Sequence, residues 1–283
     1  MRDYLELTKP RITVLILICT AVGYSFGCRV SFRLLMLLYV LLGTALMASG
    51  TSALNQWYEA DSDARMHRTR ERPIPAGRMK RSHGLVFGVL VSIAGFAELW
   101  FETNALTAML GLFTLLSYLF LYTPLKSRSP VCTTVGAVPG AMPPLIGYAA
   151  ASGRLDSAAL ALFAILFVWQ FPHFYAIALM YREDYARGGI RMLPVVDPDG
   201  AATAKRIVVC STLLIPVSLL PQFLGMTGSI YVTSAIAAGM GLLYFGVRLG
   251  CERTRARARQ VLLASVLYLP ALLAVMVIDR RSP

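Results

Sequence analysis

The stretch LLMLLYVLLGTALMASGTSALNQWYEADSD, residues 34–63, decides the fold of this 283-residue chain. Residues 34–54 are almost entirely apolar, and a helix of that length can cross about 30 Å of hydrocarbon. The residues that follow bring an amide and several carboxylates before the next apolar run begins. The pattern predicts a membrane-spanning helix that carries polar side chains out to the membrane interface.

Apolar runs of similar length recur along the whole chain. Hydrophobic residues make up 57% of the sequence and charged residues only 15%, which is too apolar a balance for an ordinary soluble domain. No linker or charge run separates two independent units. We therefore expect an all-α integral membrane protein, a single bundle forming one domain over residues 1–283, embedded in a lipid bilayer. The nine predicted spans lie near residues 11–28, 34–54, 84–101, 105–123, 132–151, 157–180, 207–225, 229–248 and 260–278.

The basic residues predict the orientation of the bundle. A net charge of +12 could indicate a nucleic-acid partner. However, 22 of the 27 Lys and Arg residues fall on one side if the N-terminus is cytoplasmic, and only five, Arg29 among them, fall on the other. Topology explains the charge, so we expect no nucleic acid. The first run begins at Lys9-Pro10-Arg11 and lacks a cleavage site, which predicts a retained span in a bacterial inner membrane.

Three polar residues follow the second span at helical spacing. Asn55, Glu59 and Asp63 fall at i, i+4 and i+8, and a helix would place them on one face. Amide and carboxylate oxygens suit Mg²⁺, which shares its coordination shell with water and substrate phosphates. The sequence therefore predicts a magnesium and diphosphate site here. The alternative is a solvated helix end without a ligand.

Cationic residues on the same side could bind the diphosphate. Arg68 and Arg72 lie four residues apart in a basic cluster after the second span, and guanidinium groups bind phosphate oxygens with two donors. Lys126 follows Tyr122 in another cytoplasmic connection and could add a point charge. The alternatives are topogenic charge for the arginines and an interfacial anchor for the lysine.

A histidine lies inside the sixth apolar run. If the helix continues past Pro172, His173 and Asp184 lie eleven residues apart near one face and could line one cavity. Asp184 and Glu183 could then complete the metal site from the opposite helix. In the alternative interpretation, the histidine only bonds a neighbouring helix, and the two acids form a surface pair with Arg182.

Several of these motifs resemble a known family. The pattern Asn-x3-Glu-x3-Asp at 55–63, followed by Arg68-Thr69 and Arg72-Pro73, resembles the first motif of the intramembrane aromatic prenyltransferase superfamily. Residues 7–13 (LTKPRIT), 136–147 and 169–174 (WQFPHF) look like the protohaem IX farnesyltransferase branch of that superfamily. The resemblance covers nearly the whole chain. Tyr181 stands where many relatives have the first acid of a second Asp-x3-Asp motif, which argues against the quinone-pathway branch.

The resemblance implies that a farnesyl group moves from farnesyl diphosphate to a vinyl group of protohaem IX, with addition of water. The product would be haem O, used to build haem-copper oxidases, and a haem A synthase or terminal oxidase would be a partner. His173 would either bind the haem iron or position the water. The implied Mg²⁺ ligands are Asn55, Glu59, Asp63 and Asp184, and the implied substrate-binding residues are Arg68, Arg72, Lys126, Tyr122, Tyr181 and Glu183.

Two other functions remain open on the sequence. A quinone-pathway prenyltransferase would share the metal site but use an aromatic acid as its acceptor. A haem transporter would need polar groups at both faces of the membrane, and the predicted outer loops are nearly apolar.

Overall fold

The computed structural model describes residues 1–28 and 31–281, so Arg29 lies outside the described residues. The described chain is built from helices and their connections. The helices are α1 Arg2–Leu7, α2 Pro10–Gly27, α3 Leu34–Tyr58, α4 Ala60–Asp63, α5 Arg81–Glu102, α6 Ala105–Leu116, a π-helical segment Ser117–Tyr122, α7 Thr123–Leu125, α8 Cys132–Gly140, α9 Pro143–Ser152, α10 Ser157–Met180, α11 Arg182–Arg187, α12 Leu193–Val196, α13 Ala201–Ser218, α14 Leu220–Phe223, α15 Ser229–Cys251 and α16 Arg255–Ile278.

Eight continuous helical stretches within the described ranges are long and apolar enough to cross a membrane. This confirms the all-α membrane architecture predicted from the apolar runs. The predicted bounds differ from the observed ones by a few residues at most ends. The eight stretches are Pro10–Gly27, Leu34–Tyr58, Arg81–Glu102, Ala105–Leu125, Ser157–Met180, Ala201–Phe223, Ser229–Cys251 and Arg255–Ile278.

The fifth predicted span, residues 132–151, is not one helix. It is divided into α8 and α9, with Ala141 and Met142 between them. Pro143 starts α9, and because proline has no N–H it cannot continue the hydrogen-bond ladder of α8. The two pieces have 9 and 10 residues, so end to end they would extend about 28 Å at 1.5 Å per residue. The Gly- and Pro-rich stretch 136–144 within this span predicts an interruption of the helix by proline, and the break confirms it.

The broken pair lies at the centre of the bundle. A Cβ atom added to Gly147 of α9 would collide with the carbonyl of Thr20 in α2, and one added to Gly23 would collide with the carbonyl of Pro144. Glycine is needed at both positions because the two backbones touch there, as small residues allow between membrane helices. Helix α9 also packs against α3, α6 and α10.

The longer helices form two groups on either side of this centre. Helices α2, α3, α5 and α6 pack together, as do α10, α13, α15 and α16. Contacts of α10 with α8 and α9, and of α16 with α2, join the two groups. One apolar core runs through both, and large apolar side chains such as Leu90, Phe120 and Leu267 cover the outside. Such an apolar exterior suits lipid rather than water.

Candidate functional site

The end of α3 keeps the helical spacing of the three predicted metal ligands. The helix ends at Tyr58, and Glu59 joins it to α4. The amide of Glu59 donates to the carbonyl of Asn55 at 2.9 Å, and the amide of Asp63 donates to the carbonyl of Glu59 at 2.8 Å. Asn55 and Asp63 are both 1% exposed. A solvated helix end would not bury these side chains. The helical spacing therefore places them in an enclosed polar site.

Glu59 is paired with Lys126. The Lys126 Nζ atom donates to Glu59 Oε1 at 2.8 Å. Burial disfavours the charge on Glu59, but the Lys126 ammonium outweighs it, so the pKa of the Glu59 carboxyl lies below its ordinary value. Burial likewise opposes the charge on Lys126, and the Glu59 carboxylate nevertheless raises the pKa of Lys126 well above its usual value. Both groups are therefore charged at neutral pH.

Asp63 is paired with Arg72. The guanidinium of Arg72 donates to Asp63 Oδ2 at 2.6 Å. The hydroxyl of Thr69 donates to the carbonyl of Asp63 at 3.0 Å, which holds the connection after α4 back against the helix end. The structure thus brings two of the predicted substrate-binding cations, Arg72 and Lys126, to two of the predicted metal ligands.

Asn55 contacts a cation that the sequence reasoning did not select. Lys9 Nζ donates to Asn55 Oδ1 at 3.3 Å, and Asn55 Nδ2 donates to Thr123 Oγ1 at 3.3 Å. Burial, then repulsion from Arg72 and Lys126, lowers the pKa of Lys9 to about 7. Lys9 is also the one described non-glycine residue with a left-handed backbone, φ 49° and ψ 62°. Backbone strain of this kind collects at functional sites.

Six residues form what we call the Asn55 cluster: two carboxylates, one amide and three basic side chains, of which Lys9 has a pKa lowered to about 7. When Lys9 is protonated, the positive charges outnumber the carboxylates, and a bound anion would stabilise that state. The oxygen donors suit a hard cation such as Mg²⁺, and being few they leave coordination positions for water and phosphate oxygens. Within the described residues, no three His, Cys, Asp or Glu side chains form a metal-holding group of their own. The cluster consists of Lys9, Asn55, Glu59, Asp63, Arg72 and Lys126.

Asp184 holds the loop that follows α4. Its carboxylate accepts from the backbone amides of His67 at 2.8 Å and Arg68 at 3.0 Å, and from the guanidinium of Arg187 at 2.6 Å. Burial alone would raise the pKa of Asp184, but these donors, Arg187 foremost, lower it below the ordinary value. The loop after α4 and helix α11 are thus joined at this carboxylate.

The remaining predicted substrate-binding residues lie around this contact. The Arg68 guanidinium stacks over the rings of Tyr181 and Tyr185, 5.4 Å from each centroid. Lys126 lies 4.4 Å from the ring centroid of Tyr122. Glu183 is exposed. A surface pocket of about 600 Å³ lies next to Arg68, and Tyr181, Glu183 and Asp184 are part of its wall.

His173 lies away from the Asn55 cluster. Its Nδ1 atom is 2.9 Å from Ser265 Oγ of α16, and its ring stacks on Trp169 with centroids 4.8 Å apart. Helix α10 continues past Pro172, as the prediction required, but it ends at Met180, and Tyr181 separates it from α11. His173 and Asp184 therefore do not lie on one continuous helix. The structure does not bring these two residues into one hydrogen-bonded group.

Comparison with known proteins shows a family-level match over most of the chain. Residues 16–270 match the UbiA prenyltransferase family. A protoheme IX farnesyltransferase of Solibacter usitatus is 58% identical over 289 residues, covering 99% of both chains. One of Koribacter versatilis is 48% identical over 290 residues, covering 99% of this chain and 94% of the relative.

Solved structures share the fold at low sequence identity. A digeranylgeranylglyceryl phosphate synthase superposes with a TM-score of 0.81 at 18% identity, covering 98% of this chain and 97% of that one. A UbiA homologue from Archaeoglobus fulgidus bound to DMAPP and Mg²⁺ superposes with a TM-score of 0.71 at 17% identity, covering 98% and 99%. The helical arrangement is therefore one that other membrane proteins of this family also have.

Proposed function

This chain belongs to the UbiA prenyltransferase family, and we propose that it transfers the farnesyl group of farnesyl diphosphate to a vinyl group of protohaem IX, giving haem O. The observation that carries the proposal is the Asn55 cluster, where oxygen ligands and basic side chains meet at the buried end of a membrane helix. The 58% and 48% identical relatives are named protoheme IX farnesyltransferases, which supports the choice of substrates.

In the proposed site, Asn55, Glu59 and Asp63 would hold Mg²⁺. The solved homologue with DMAPP and Mg²⁺ supports a divalent metal in this fold. When bound, the metal would neutralise charge on the leaving diphosphate, a large electrostatic contribution in reactions of this type. Asp184 was the fourth predicted ligand. Its two hydrogen bonds to the loop after α4, from the backbone amides of His67 and Arg68, support a positioning role for it.

Lys9, Arg72 and Lys126 would bind the diphosphate oxygens. Each is now held by an oxygen of Asn55, Asp63 or Glu59. Arrival of the substrate would let these cations turn from the protein oxygens to the phosphates. That exchange would leave the oxygens of Asn55, Glu59 and Asp63 free to hold Mg²⁺ while the cations pair with the phosphates.

The bond changes of the proposed reaction take place on the two substrates. The bond between C1 of the farnesyl group and the diphosphate oxygen breaks, and diphosphate leaves with the electron pair. The terminal vinyl carbon of protohaem bonds to C1, and the cation left beside the porphyrin ring is captured by water, which loses a proton. The products are haem O, diphosphate and a proton, and no covalent bond to the enzyme is needed.

Apolar surroundings protect this sequence of steps. Premature water would capture the allylic cation and give farnesol, so the farnesyl group must lie in a dry place. The described core between the two helix groups is apolar. We place the chain in a bacterial inner membrane with its N-terminus and the Asn55 cluster on the cytoplasmic side, following the distribution of Lys and Arg.

A competition between acceptors tests the proposal against the quinone-pathway alternative. The purified chain in lipid nanodiscs would receive Mg²⁺, radiolabelled farnesyl diphosphate, and equal amounts of protohaem and 4-hydroxybenzoate. We expect the label in the haem fraction only. Label in the aromatic acid would reverse the assignment. If no label is transferred, movement of unmodified haem across the membrane of vesicles that contain the chain would favour a transporter.

A further inference from the structure

A second polar site lies beside the Asn55 cluster. The pocket of about 600 Å³ is bounded by the loop after α4, the junction of α10 with α11, and the connection between α15 and α16. Its size falls within the range typical of small-molecule sites. The connection between α15 and α16 takes no part in the metal and diphosphate site described above. The metal and diphosphate site therefore does not explain why this connection lines the pocket.

Positive charge dominates this pocket. Five arginines line it, against two carboxylates, Glu183 and Asp184. The Asp184 carboxylate is already engaged by two backbone amides and by Arg187. The surplus of guanidinium groups favours a ligand with carboxylate or phosphate oxygens, which they bind with two donors. The arginines are Arg68, Arg182, Arg187, Arg253 and Arg255.

The loop between α12 and α13 holds two of these arginines. Arg182 donates to the carbonyl of Pro198 at 2.9 Å, and Arg253 donates to the carbonyl of Asp199 at 3.1 Å and lies 3.4 Å from its carboxylate. The loop itself is fixed by buried Asp197, whose carboxylate accepts from the amide and hydroxyl of Thr203, both at 2.7 Å. The fold therefore positions Arg182 and Arg253 at the pocket.

Part of the pocket wall, which we call the floor, is apolar or aromatic. It consists of Leu179, Met180, Leu249 and the ring of Tyr181. A free phosphate would leave this floor without a partner. A flat apolar molecule with acidic groups on one edge would use both the floor and the cations.

We propose that this pocket binds the prenyl acceptor, with the paired carboxylates of a tetrapyrrole held by Arg253 and Arg255. The inference rests on the proposed function, because it names where the acceptor of that reaction docks. Protohaem carries its two propionates on one edge and its vinyl groups towards the other. The propionates supply the acidic oxygens and the macrocycle supplies the apolar face.

The residues that line the pocket also indicate how the bound acceptor is oriented. Arg253 and Arg255 line it from the connection between α15 and α16, and His67 and Arg68 line it from the loop after α4. Four residues after Arg68, the same loop contributes Arg72 to the Asn55 cluster. Propionates held by Arg253 and Arg255 would leave the vinyl edge facing the loop after α4, on the side of the farnesyl diphosphate. This orientation would present a vinyl group, rather than a propionate, to the farnesyl diphosphate.

Binding of protohaem and of its dimethyl ester to the same protein tests this directly. The ester keeps the macrocycle, the iron and the vinyl groups but removes both negative charges. Titrations followed at the Soret band, in nanodiscs of zwitterionic lipid, should give a Kd for protohaem roughly tenfold below that for the ester. The double variant Arg253→Gln/Arg255→Gln should bind both forms with the Kd of the ester.

A matched variant controls for the loss of two charges. Lys205→Gln/Arg259→Gln removes two exposed cations that do not line the pocket, and it should keep the preference for protohaem. Binding of labelled farnesyl diphosphate should be unchanged in both double variants. Equal Kd values for protohaem and the ester in the unmodified chain would overturn the proposal, even if the double variant failed to fold.

Anionic lipid is the other source of such oxygens. Adding anionic phospholipid to the nanodiscs should not raise the Kd for protohaem if the pocket belongs to the acceptor. A lipid that competes with protohaem, together with equal Kd values for protohaem and ester in its absence, would assign the pocket to a headgroup instead. Failure of the proposed function is a separate outcome, since it would show as no haem O formed by the unmodified chain.

Discussion

The ammonium of Lys126 lies 2.8 Å from the Glu59 carboxylate, and the two side chains are only 13% and 12% exposed. Glu59 lies at the end of α3, and Lys126 follows the π-helical segment and α7. A buried pair of this kind is costly to break by removing one partner, since the other charge is left uncompensated. The pair therefore stabilises the site while no substrate is bound.

Replacing Lys126 with Met should lower the free energy of unfolding by roughly 3 kcal/mol, because Glu59 would remain buried without its partner. The double variant Glu59→Gln/Lys126→Met should recover most of that loss while remaining inactive. Thermal unfolding in nanodiscs measures the first effect and farnesyl transfer the second. A double variant as unstable as the single one would mean that the lysine acts through packing alone.

Lys9 should contribute to substrate binding through its ammonium. Lys9→Gly suits the left-handed backbone at this position and removes only the side chain, so it should fold normally. We expect its KM for farnesyl diphosphate to rise about tenfold, the effect of one charge-assisted hydrogen bond. Lys9→Arg should retain part of the affinity. An unchanged KM in the Gly variant would remove Lys9 from the diphosphate site.

Metal and diphosphate should bind together. In the absence of substrate, the two carboxylates of the Asn55 cluster are already neutralised by Arg72 and Lys126. Mg²⁺ alone should therefore change the Tm little, and EDTA should not unfold the protein. Mg²⁺ added with an unreactive thio analogue of farnesyl diphosphate should raise the Tm by several degrees. An equally large rise in Tm with Mg²⁺ alone would contradict coupled binding of metal and diphosphate.

His173 should present Nε2 as an acceptor. The Ser265 hydroxyl donates to the carbonyl of Leu262 at 2.7 Å, so it accepts from His173 Nδ1–H at 2.9 Å. Such a tautomer suits an axial ligand of haem iron. However, His173 does not line the pocket proposed for the acceptor, so we expect His173→Ala to leave the Soret band of bound protohaem unchanged. A shifted band would place the haem iron at His173 and contradict the proposed pocket.

Much of the fold followed from the length of the apolar runs. A helix that crosses a membrane must form its own backbone hydrogen bonds and present apolar side chains to the lipid. The prolines of the stretch 136–144 indicated the break between α8 and α9, because proline cannot continue a helical hydrogen-bond ladder. The close contact of α9 with α2 did not follow from the sequence, because it depends on how two helices pack.

The candidate site was predictable where it depended on one helix. The four-residue spacing of Asn55, Glu59 and Asp63 was visible in the sequence. The role of Lys9 was not, because its contact with Asn55 joins positions 46 residues apart and depends on how two helices pack. The same holds for the facing of His173, which depended on where α10 ends.

Haem extraction from membranes containing this chain is the most direct test of farnesyl transfer at the Asn55 cluster. The membranes would be incubated with protohaem, farnesyl diphosphate and Mg²⁺, and the pigments separated and weighed by mass spectrometry. The unmodified chain should yield a hydroxyethylfarnesyl haem, and Asp63→Asn should yield none while still binding protohaem. Absence of this product from folded, haem-loaded membranes, or its undiminished formation by Asp63→Asn, would contradict that assignment.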